Sequence, residues 1–326
     1  MLYDLTHTGP AWRRHSCLRF PSPPRKVTRM ELGRLITAMV TPFRPDGAVD
    51  YAQARRLASA LVASGSEGVV VSGTTGEAPT LKPEEKLRLF AEIVDELRGR
   101  AAVIAGSGDN CTADSIELSR EAARTGVDAL LLTTPYYNKP TQAGIERHFA
   151  AIAEAIDLPC IPYNIPGRTG VNMAADVQVR LSRIPNIVGV KEASGDMKQI
   201  ARIIEDAAPG FPIWSGNDED TFPIVTMGGW GVISVASHLV GRQLAAMIRS
   251  AVEGRTDEAA ALHRRLLPLI DALFCVTNPI PIKHALNAVG FDVGGYRLPL
   301  CEPDDASAAR IEAEVRRHTI DLPLPV

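Results

Sequence analysis

From Leu35 onward, the chain alternates between short apolar runs and longer segments whose apolar positions have helical spacing. Short β-branched runs predict buried strands, whereas apolar residues at every third or fourth position predict amphipathic helices. Eight runs have the character of strands: Leu35–Phe43, Gly68–Gly73, Ala101–Gly106, Ala129–Pro135, Pro159–Ile165, Ile187–Ala193, Pro212–Gly216 and Gly231–Ser237. Helical segments between them include Asp50–Ala63, Pro83–Leu97, Thr112–Thr125, Thr141–Ile156 and Met197–Ala207.

Eight alternating strand and helix units predict an α/β fold and, within that class, a (β/α)8 TIM barrel. A doubly wound sheet is the alternative, but it usually carries a Gly-rich loop after its first strand. Here the first strand runs into Thr41-Pro42-Phe43, which contains no glycine. We therefore expect residues 30–240 to form the barrel.

After Gly241 the pattern is again helical, and no Pro-, Gly- or Ser-rich linker detaches this part from the barrel. The predicted helices are Arg242–Glu253, Thr256–Leu273, Pro279–Val289 and Asp304–His318. We expect residues 241–326 to pack on the barrel as a C-terminal helical extension. Among the helix starts, Pro83 suits a first turn, and Asp50 and Thr112 are candidate N-caps.

Composition and charge exclude several classes of protein. Of the 326 residues, 45% are hydrophobic, which is ordinary for a globular protein with a sizeable core. The net charge of −3 gives no basic surface for nucleic acid or an anionic membrane, and no apolar run is long enough for a membrane span. Five scattered cysteines without a C-x-x-C pair favour a cytoplasmic location over a disulfide-bonded class. Since no metal-ligand spacing occurs either, we expect no metal and no cofactor.

The first 29 residues differ from the rest, with six basic residues against the single acid Asp4 and no sustained period. An Arg-rich, acid-poor segment is typical of a transit peptide. The other interpretation is an upstream extension that precedes a true start at Met30, and we favour it. In either case we expect residues 1–29 to be a disordered tail outside the fold.

Lys191 is the strongest candidate for chemistry, because it lies in the apolar, β-branched run Ile187–Ala193. A buried ammonium group is costly unless it is paired or loses its proton. Desolvation lowers the pKa of the amine, and the neutral amine can then attack a carbonyl carbon to form a Schiff base. The alternative is an ordinary lysine that pairs with Glu192 or reaches solvent.

Barrel enzymes place their reactive groups at the C-terminal ends of strands, and polar residues cluster at those ends here. They are Gly73-Thr74-Thr75-Gly76-Glu77, Tyr136-Tyr137-Asn138, Tyr163-Asn164 with Arg168, and Ser215-Gly216-Asn217. Each segment alone could be an ordinary turn, a core aromatic pair or a surface arginine. Together around Lys191, hydroxyls, glycines and a guanidinium suit a small carboxylated carbonyl compound.

The glycines near the last strand argue against a phosphate site. Barrel phosphate sites usually use the loops after strands seven and eight, whereas Gly228, Gly229 and Gly231 precede strand eight. We therefore expect neither a phosphorylated substrate nor pyridoxal phosphate.

These residues belong to five motifs that extend over most of the chain. The motifs are Gly73-Thr74-Thr75-Gly76-Glu77, Thr134-Pro135-Tyr136-Tyr137-Asn138, Tyr163-Asn164-x-Pro166-x-Arg168-Thr169-Gly170, Gly189-x-Lys191-Glu192-Ala193 and Asn278-Pro279-Ile280-Pro281-Ile282-Lys283. With them, the chain resembles the dihydrodipicolinate synthase/N-acetylneuraminate lyase family of class I aldolases from about Gly33 to its C-terminus. The second position of the first motif, Thr74, and the Arg-Thr-Gly ending distinguish it from the sialic acid lyases of that family.

The resemblance implies a lyase that condenses pyruvate with L-aspartate 4-semialdehyde in lysine (diaminopimelate) biosynthesis. It implies that Lys191 forms the imine with pyruvate and that Tyr163 acts as general acid and base. Thr74 and Tyr137 would complete a proton relay, with Tyr137 reaching in from a neighbouring subunit. The family thus implies a homo-oligomer, a tetramer built as a dimer of dimers.

The resemblance also implies the binding residues. Thr75 would hold the pyruvate carboxylate, and Arg168 would bind the carboxylate of the semialdehyde. Gly216 and Ile233 would line the pyruvate pocket through backbone contacts.

Some members of the family are inhibited by L-lysine at the dimer interface. The possible allosteric positions in this chain are Ala78, Lys86, Asn110, Asp114 and Tyr136. Pro83 and Lys86 stand where enteric-type members carry two histidines, and Asp114 replaces a glutamate. Because Lys86 adds positive charge beside a cationic ligand, we expect weak or absent inhibition.

Two other functions remain open at this point. One is a pyruvate-dependent aldolase acting on a sugar acid or a 4-hydroxy-2-oxo acid, against which the Arg168-Thr169-Gly170 ending weighs. The other is a non-catalytic ligand-binding protein, against which the complete set of candidate reactive residues argues.

Overall fold

The computed structural model describes residues 32–324. The expectation for the tail, residues 1–29, concerns a segment that lies outside the described residues. Within them, eight parallel strands form a closed barrel in sequence order, so that the last strand pairs with the first. The strands are β1 Leu35–Ala38, β2 Gly68–Val71, β3 Ala102–Gly106, β4 Ala129–Thr133, β5 Cys160–Asn164, β6 Val190–Glu192, β7 Ile213–Ser215 and β8 Gly231–Ser234.

Barrel closure confirms the predicted fold class. Ile36 is in register with Gly68 of β2 on one side and with Ile233 of β8 on the other. Each strand is followed by one or more helices before the next, as the parallel arrangement requires.

The strands are shorter than the apolar runs that predicted them. The first run extended to Phe43, whereas β1 ends at Ala38, because the chain then leaves the barrel wall to support the neighbouring turn. Thr41 Oγ1, for example, donates a hydrogen bond to the carbonyl of Gly76 at 2.6 Å. Thr41 is thus buried by packing at the rim beyond the end of β1.

The helices follow the predicted pattern closely. In chain order they are α1 Tyr51–Ala63, α2 Pro83–Leu97, α3 Thr112–Arg124, α4 Gln142–Glu154, α5 Pro166–Thr169, α6 Ala175–Leu181, α7 Met197–Asp206, α8 Thr221–Thr226, α9 Ser237–Val252, α10 Thr256–Leu273, α11 Ile280–Ala288 and α12 Asp305–Arg317. A 3₁₀ turn also covers Ala78–Thr80.

Of the two predicted N-caps, one is confirmed and one is wrong. Asp50 accepts a hydrogen bond from the backbone N–H of Gln53 and caps α1. Thr112 is instead the first residue of α3, and Cys111 occupies the cap position. The Thr112 hydroxyl lies 2.9 Å from Nδ1 of His148 on α4, so a contact between helices replaces the cap.

The C-terminal helices pack on the barrel and on one another. Helix α9 contacts β1, α10 packs along α9, and α12 packs against α10 and α11. The helix predicted over roughly Arg242–Glu253 corresponds to the part of α9 that follows a kink at Val240, and α9 as a whole begins earlier, at Ser237. The division of the chain at residue 241 stays a prediction.

Two apolar clusters fill the fold. The outer cluster joins the helices to the outward-facing strand residues. The inner cluster fills the barrel and includes Ile36, Ile104, Ile161, Trp214 and Ile233. Close packing of this inner layer holds the rim residues above it in fixed positions.

Candidate active site

Lys191 lies in the middle of β6, inside the barrel. It is in register with Tyr163 on β5 and with Trp214 on β7. Its side chain is 6% exposed, and its Nζ lies 4.2 Å from the centroid of the Tyr163 ring. Successive residues of a strand face opposite sides, so Glu192 points away and its carboxylate accepts hydrogen bonds from Asn164. The alternative, an ion pair between Lys191 and Glu192, is therefore not present in the structure.

Burial determines the protonation of this lysine. Desolvation lowers the pKa of Lys191 to about 7, with a further lowering by Arg168 and an opposing effect of Asp218. A large fraction of the amine is thus neutral near neutral pH. A neutral amine in a closed apolar site is a nucleophile for carbonyl carbons.

Gly216 makes room for the lysine. A Cβ atom at this position would lie 2.6 Å from the Cβ of Ala193 and 3.1 Å from Cε of Lys191. Any larger residue would displace the side chain of Lys191, so glycine is required here by close approach.

The turn after β2, residues 73–77, brings two hydroxyls to the same cavity. Ser72, directly before the turn, and Glu77, its last residue, adopt left-handed backbone conformations with φ of 57° and 55°. The turn exposes Thr74 partly and buries Thr75, whose Oγ1 accepts a hydrogen bond from Nδ2 of Asn278 at 2.9 Å. Because this oxygen accepts, the hydroxyl hydrogen of Thr75 is left to donate to a ligand.

Tyr163 and Arg168 lie on the other side of the cavity. Tyr163 is 4% exposed, and burial raises the pKa of its phenol well above the usual range, so the group stays protonated at neutral pH. Arg168 is on the short helix α5 and is exposed at the entrance. One of its guanidinium nitrogens donates to the carbonyl of Asn278 at 3.1 Å, which fixes its direction.

These side chains share one small cavity of about 40 Å³. It is lined by Ala38, Val70, Gly73, Thr74, Thr75, Leu131, Tyr163, Ile165, Arg168, Lys191, Gly216, Asn217, Val235, Phe274 and Asn278. The chemistry available is therefore one amine, one phenol, two threonine hydroxyls and one guanidinium against an apolar floor.

Two candidates lie elsewhere in this protomer. Tyr137 is 88% exposed and has a left-handed backbone with φ of 72°, so its side chain projects away from the cavity of its own chain. Ile233 is fully buried in the inner barrel cluster and is not among the lining residues. Val235, two residues further along, lines the cavity in its place.

Three of the possible allosteric residues gather near Asp109. The Tyr136 hydroxyl donates to Asp109 at 3.1 Å, and Asn110 Nδ2 donates to the carbonyl of Tyr136 at 3.2 Å. Burial lowers the pKa of Lys86, and Asp109 opposes this lowering. The remaining two positions are Ala78, at the start of the 3₁₀ turn, and Asp114, exposed in the first turn of α3.

Sequence reasoning missed Asp218. Its carboxylate is 1% exposed and accepts hydrogen bonds from the Ser234 hydroxyl and from the backbone N–H groups of Val235 and Ala236, the latter two at 2.9 and 3.2 Å. Asp218 begins a run of three acids, and nothing in that run marks the first as buried. Only closure of the barrel by β8 makes it so.

Sequence reasoning also assigned no role to Asn278, although it quoted the motif that contains it. The structure places its side chain against Thr75 and its carbonyl against Arg168. The Asn-Pro pair at the start of a helix was the available signal.

Within residues 32–324, no group of three or more His, Cys, Asp or Glu side chains is arranged to hold a metal ion. None of the helices in the same range is both long and apolar enough to cross a lipid bilayer.

Comparison with known proteins gives consistent results. The sequence model of the dihydrodipicolinate synthetase family matches residues 31–318. The 4-hydroxy-tetrahydrodipicolinate synthase of Dehalococcoides mccartyi is 58% identical over 294 residues, which are 90% of this chain and 99% of that protein. The enzyme of the same name from Symbiobacterium thermophilum is 60% identical over 271 residues, 83% of this chain and 92% of that one. The crystal structure of DHDPS from Cyanidioschyzon merolae with lysine bound has a TM-score of 0.86 and 45% identity, and the match covers 87% of this chain and 97% of that chain.

Proposed function

The chain belongs to the dihydrodipicolinate synthetase family, and we propose on this basis that it condenses pyruvate with L-aspartate 4-semialdehyde to 4-hydroxy-tetrahydrodipicolinate. It is thus a lyase of lysine (diaminopimelate) biosynthesis, and we place it in the cytoplasm. The observation that carries the proposal is Lys191, a buried amine with a lowered pKa that faces a small cavity beside a protonated phenol.

The first step is imine formation. The neutral amine of Lys191 attacks C2 of pyruvate, a new C–N bond forms, and the carbonyl oxygen leaves as water. Loss of a proton from C3 then gives an enamine, whose C3 attacks the aldehyde carbon of the second substrate. The amino group of that substrate finally replaces Lys191 at C2, which closes the ring and frees the enzyme.

Thr75 and Thr74 are proposed to hold the carboxylate of pyruvate. The Thr75 hydroxyl hydrogen is free to donate because its oxygen already accepts from Asn278 at 2.9 Å. Gly216 supports this arrangement by leaving room for the lysine, and Ile233 is proposed to contribute to the pyruvate pocket through its backbone. The carboxylate therefore lies where C2 can approach Nζ of Lys191.

Tyr163 is proposed to transfer the protons. Its phenol is held protonated by burial and lies against the lysine, so it can protonate the departing oxygen and later accept a proton. Thr74 and Tyr137 of a neighbouring protomer would continue the relay to solvent. The exposure of Tyr137 favours a homo-oligomer, which we propose to be a tetramer built as a dimer of dimers.

Arg168 is proposed to select the second substrate. Its guanidinium lies at the entrance, and its bond to Asn278 leaves other N–H groups for a carboxylate. The alternative, an aldolase for a sugar acid or 4-hydroxy-2-oxo acid, would use the same imine and differ at this position.

We further propose that L-lysine inhibits this protein weakly or not at all. A relative from Cyanidioschyzon merolae was solved with lysine bound. Here Asp109 already accepts from Tyr136 and lies close enough to Lys86 to oppose the lowering of its pKa by burial, so the local negative charge is engaged within the protein. A cationic ligand would compete with Lys86 for it.

The decisive experiment is borohydride reduction in the presence of pyruvate, followed by mass analysis of peptides. We expect a covalent adduct on Lys191, no adduct in Lys191→Ala and an unchanged adduct in Lys198→Ala, whose lysine is exposed on α7. Labelling of another lysine, or of none, would reject the imine mechanism. Turnover with the semialdehyde but not with sugar-acid aldehydes would then decide between the two lyase functions.

A further inference from the structure

A buried ion pair lies behind the turn that carries Thr74 and Thr75. Glu77 ends this turn, and its Oε1 is 2.8 Å from Nζ of Lys283 on α11. Both side chains are 0% exposed. The second carboxylate oxygen of Glu77 accepts from the backbone N–H of Arg297 at 3.1 Å, so the C-terminal region holds this carboxylate at both oxygens.

Lys283 also ties the turn to the loop after β1. Its Nζ donates to the carbonyl of Thr41 at 3.1 Å and lies 4.3 Å from the centroid of the Phe43 ring. Thr41 in turn donates through its hydroxyl to the carbonyl of Gly76. The ammonium group of Lys283 thus contacts the carboxylate of Glu77, the carbonyl of Thr41 and the ring of Phe43. These contacts join the end of the turn to the rim of the barrel.

The same C-terminal segment contacts the turn a second time. Asn278 comes five residues before Lys283 and donates to the hydroxyl oxygen of Thr75. Its carbonyl accepts from Arg168, on the opposite side of the cavity. One short piece of chain therefore contacts the proposed binding groups for both substrate carboxylates.

Stability alone does not account for the ion pair. A buried pair can often be replaced by apolar residues of similar volume without loss of stability, because the desolvation of both charges offsets their attraction. Glu77 and Lys283 do not line the cavity, so they cannot touch a substrate. What they supply is a fixed position of the turn relative to the barrel rim and to α11.

We propose that Glu77 and Lys283 are positioning residues that set the Thr74–Thr75 turn for the pyruvate carboxylate. The inference rests on the proposed function. It implies that the pair governs affinity for pyruvate more than the rate of chemistry, since Lys191 and Tyr163 belong to other strands. Binding of the semialdehyde, through Arg168, is left nearly unchanged.

Two variants test this inference. Glu77→Gln keeps the size of the side chain and removes its charge, and the buried Lys283, whose pKa is already lowered by desolvation, can become neutral beside it. Glu77→Gln/Lys283→Met removes both charges together. Arg180→Met/Glu146→Gln is the control, because it removes a pair at 2.9 Å on the outer helices, away from the cavity.

Pyruvate-dependent borohydride labelling of the wild type comes first; its failure would reject the proposed function itself. With labelling established, we expect both Glu77 variants to fold and to raise KM for pyruvate about tenfold or more. Their KM for the semialdehyde should change by less than about threefold. Any fall in kcat, through Thr74 on the same turn, should be smaller than the rise in KM for pyruvate, and the control should match the wild type. A KM for pyruvate within twofold of the wild type in a folded variant would overturn the inference. Failure of both variants to fold would overturn it too, because the pair would then serve the whole fold.

Discussion

At the scale of single residues, the titration of Lys191 predicts the pH dependence of the first step. Its pKa is lowered to about 7, so the amine is protonated below this pH and neutral above it. We expect kcat/KM for pyruvate to rise with pH through about 7 and then to level off. The measurement is the initial rate at subsaturating pyruvate across this range. An ascending limb near the ordinary lysine value, above about pH 10, would contradict the burial of this amine.

Tyr163 allows a second prediction at this scale. Tyr163→Phe keeps the ring against Lys191 and removes only the hydroxyl, so proton transfer should suffer while packing is preserved. We expect kcat to fall by about 10²–10⁴-fold, with a smaller change in KM for pyruvate. Steady-state kinetics and borohydride labelling of the variant would separate the two effects. A near-normal kcat would mean that the phenol only packs.

Replacing Arg168 should affect KM for the two substrates differently. Arg168→Leu removes a charge-assisted hydrogen-bond donor at the entrance, so KM for the semialdehyde should rise by about tenfold or more. KM for pyruvate should change much less, because the pyruvate carboxylate is proposed to bind at Thr75. Equal increases in both constants, measured by varying each substrate in turn, would remove the assigned role.

At the scale of elements, helix α2 contains Lys86, the residue on which the prediction of weak feedback inhibition by L-lysine depends. Lys86 on this helix lies in a partly buried setting with Asp109 nearby, so a cationic ligand bound there would compete with it for that carboxylate. We expect less than half-maximal inhibition by L-lysine at millimolar concentration and subsaturating pyruvate. Lys86→His should increase inhibition, because a neutral imidazole could accept a hydrogen bond. Strong inhibition of the wild type at submillimolar lysine would show that Lys86 does not disfavour the ligand.

Elements were predictable from the sequence, and their ends were less so. The apolar runs identified all eight strands because burial on both faces of a parallel barrel leaves a continuous hydrophobic signal. They overestimated strand length because rim residues such as Thr41 are buried without being paired. The N-cap of α3 was misassigned because the Thr112 hydroxyl contacts His148 on α4, and sequence spacing does not encode this contact.

The site was predictable where a residue type is unusual for its surroundings. A lysine in a β-branched run is such a signal, and the structure places Lys191 beside Tyr163 as that signal implied. Asp218 gave no such signal, because an acidic residue in a loop is ordinary in a sequence and only the folded barrel buries it. The pairing of Glu77 with Lys283 joins residues far apart in the chain, so no local pattern could reveal it.

At the scale of the whole molecule, the position of Tyr137 predicts that active sites are shared between protomers. We expect sedimentation to show at least a dimer, and a tetramer at assay concentrations. Co-refolding Lys191→Ala with Tyr137→Phe should restore roughly a quarter of wild-type activity under random pairing, because one site of each mixed dimer has both groups. Each variant alone is the control and should be nearly inactive. No recovery would mean that Tyr137 acts within its own chain, and full activity of Tyr137→Phe alone would mean that it has no role.

The contacts of the C-terminal segment also make the site depend on parts of the chain that are synthesised far apart. Asn278 and Thr75 are 203 positions apart, and Lys283 and Glu77 are 206 apart, so these contacts close loops that span most of the chain. Contacts of such long range cost loop-closure entropy, as does the pairing of β1 with β8 that closes the barrel. During synthesis from the N-terminus, all eight strands emerge before Asn278 does. A chain that ended before Asn278 would therefore contain the reactive lysine and all eight strands, yet lack both contacts that hold the Thr74–Thr75 turn.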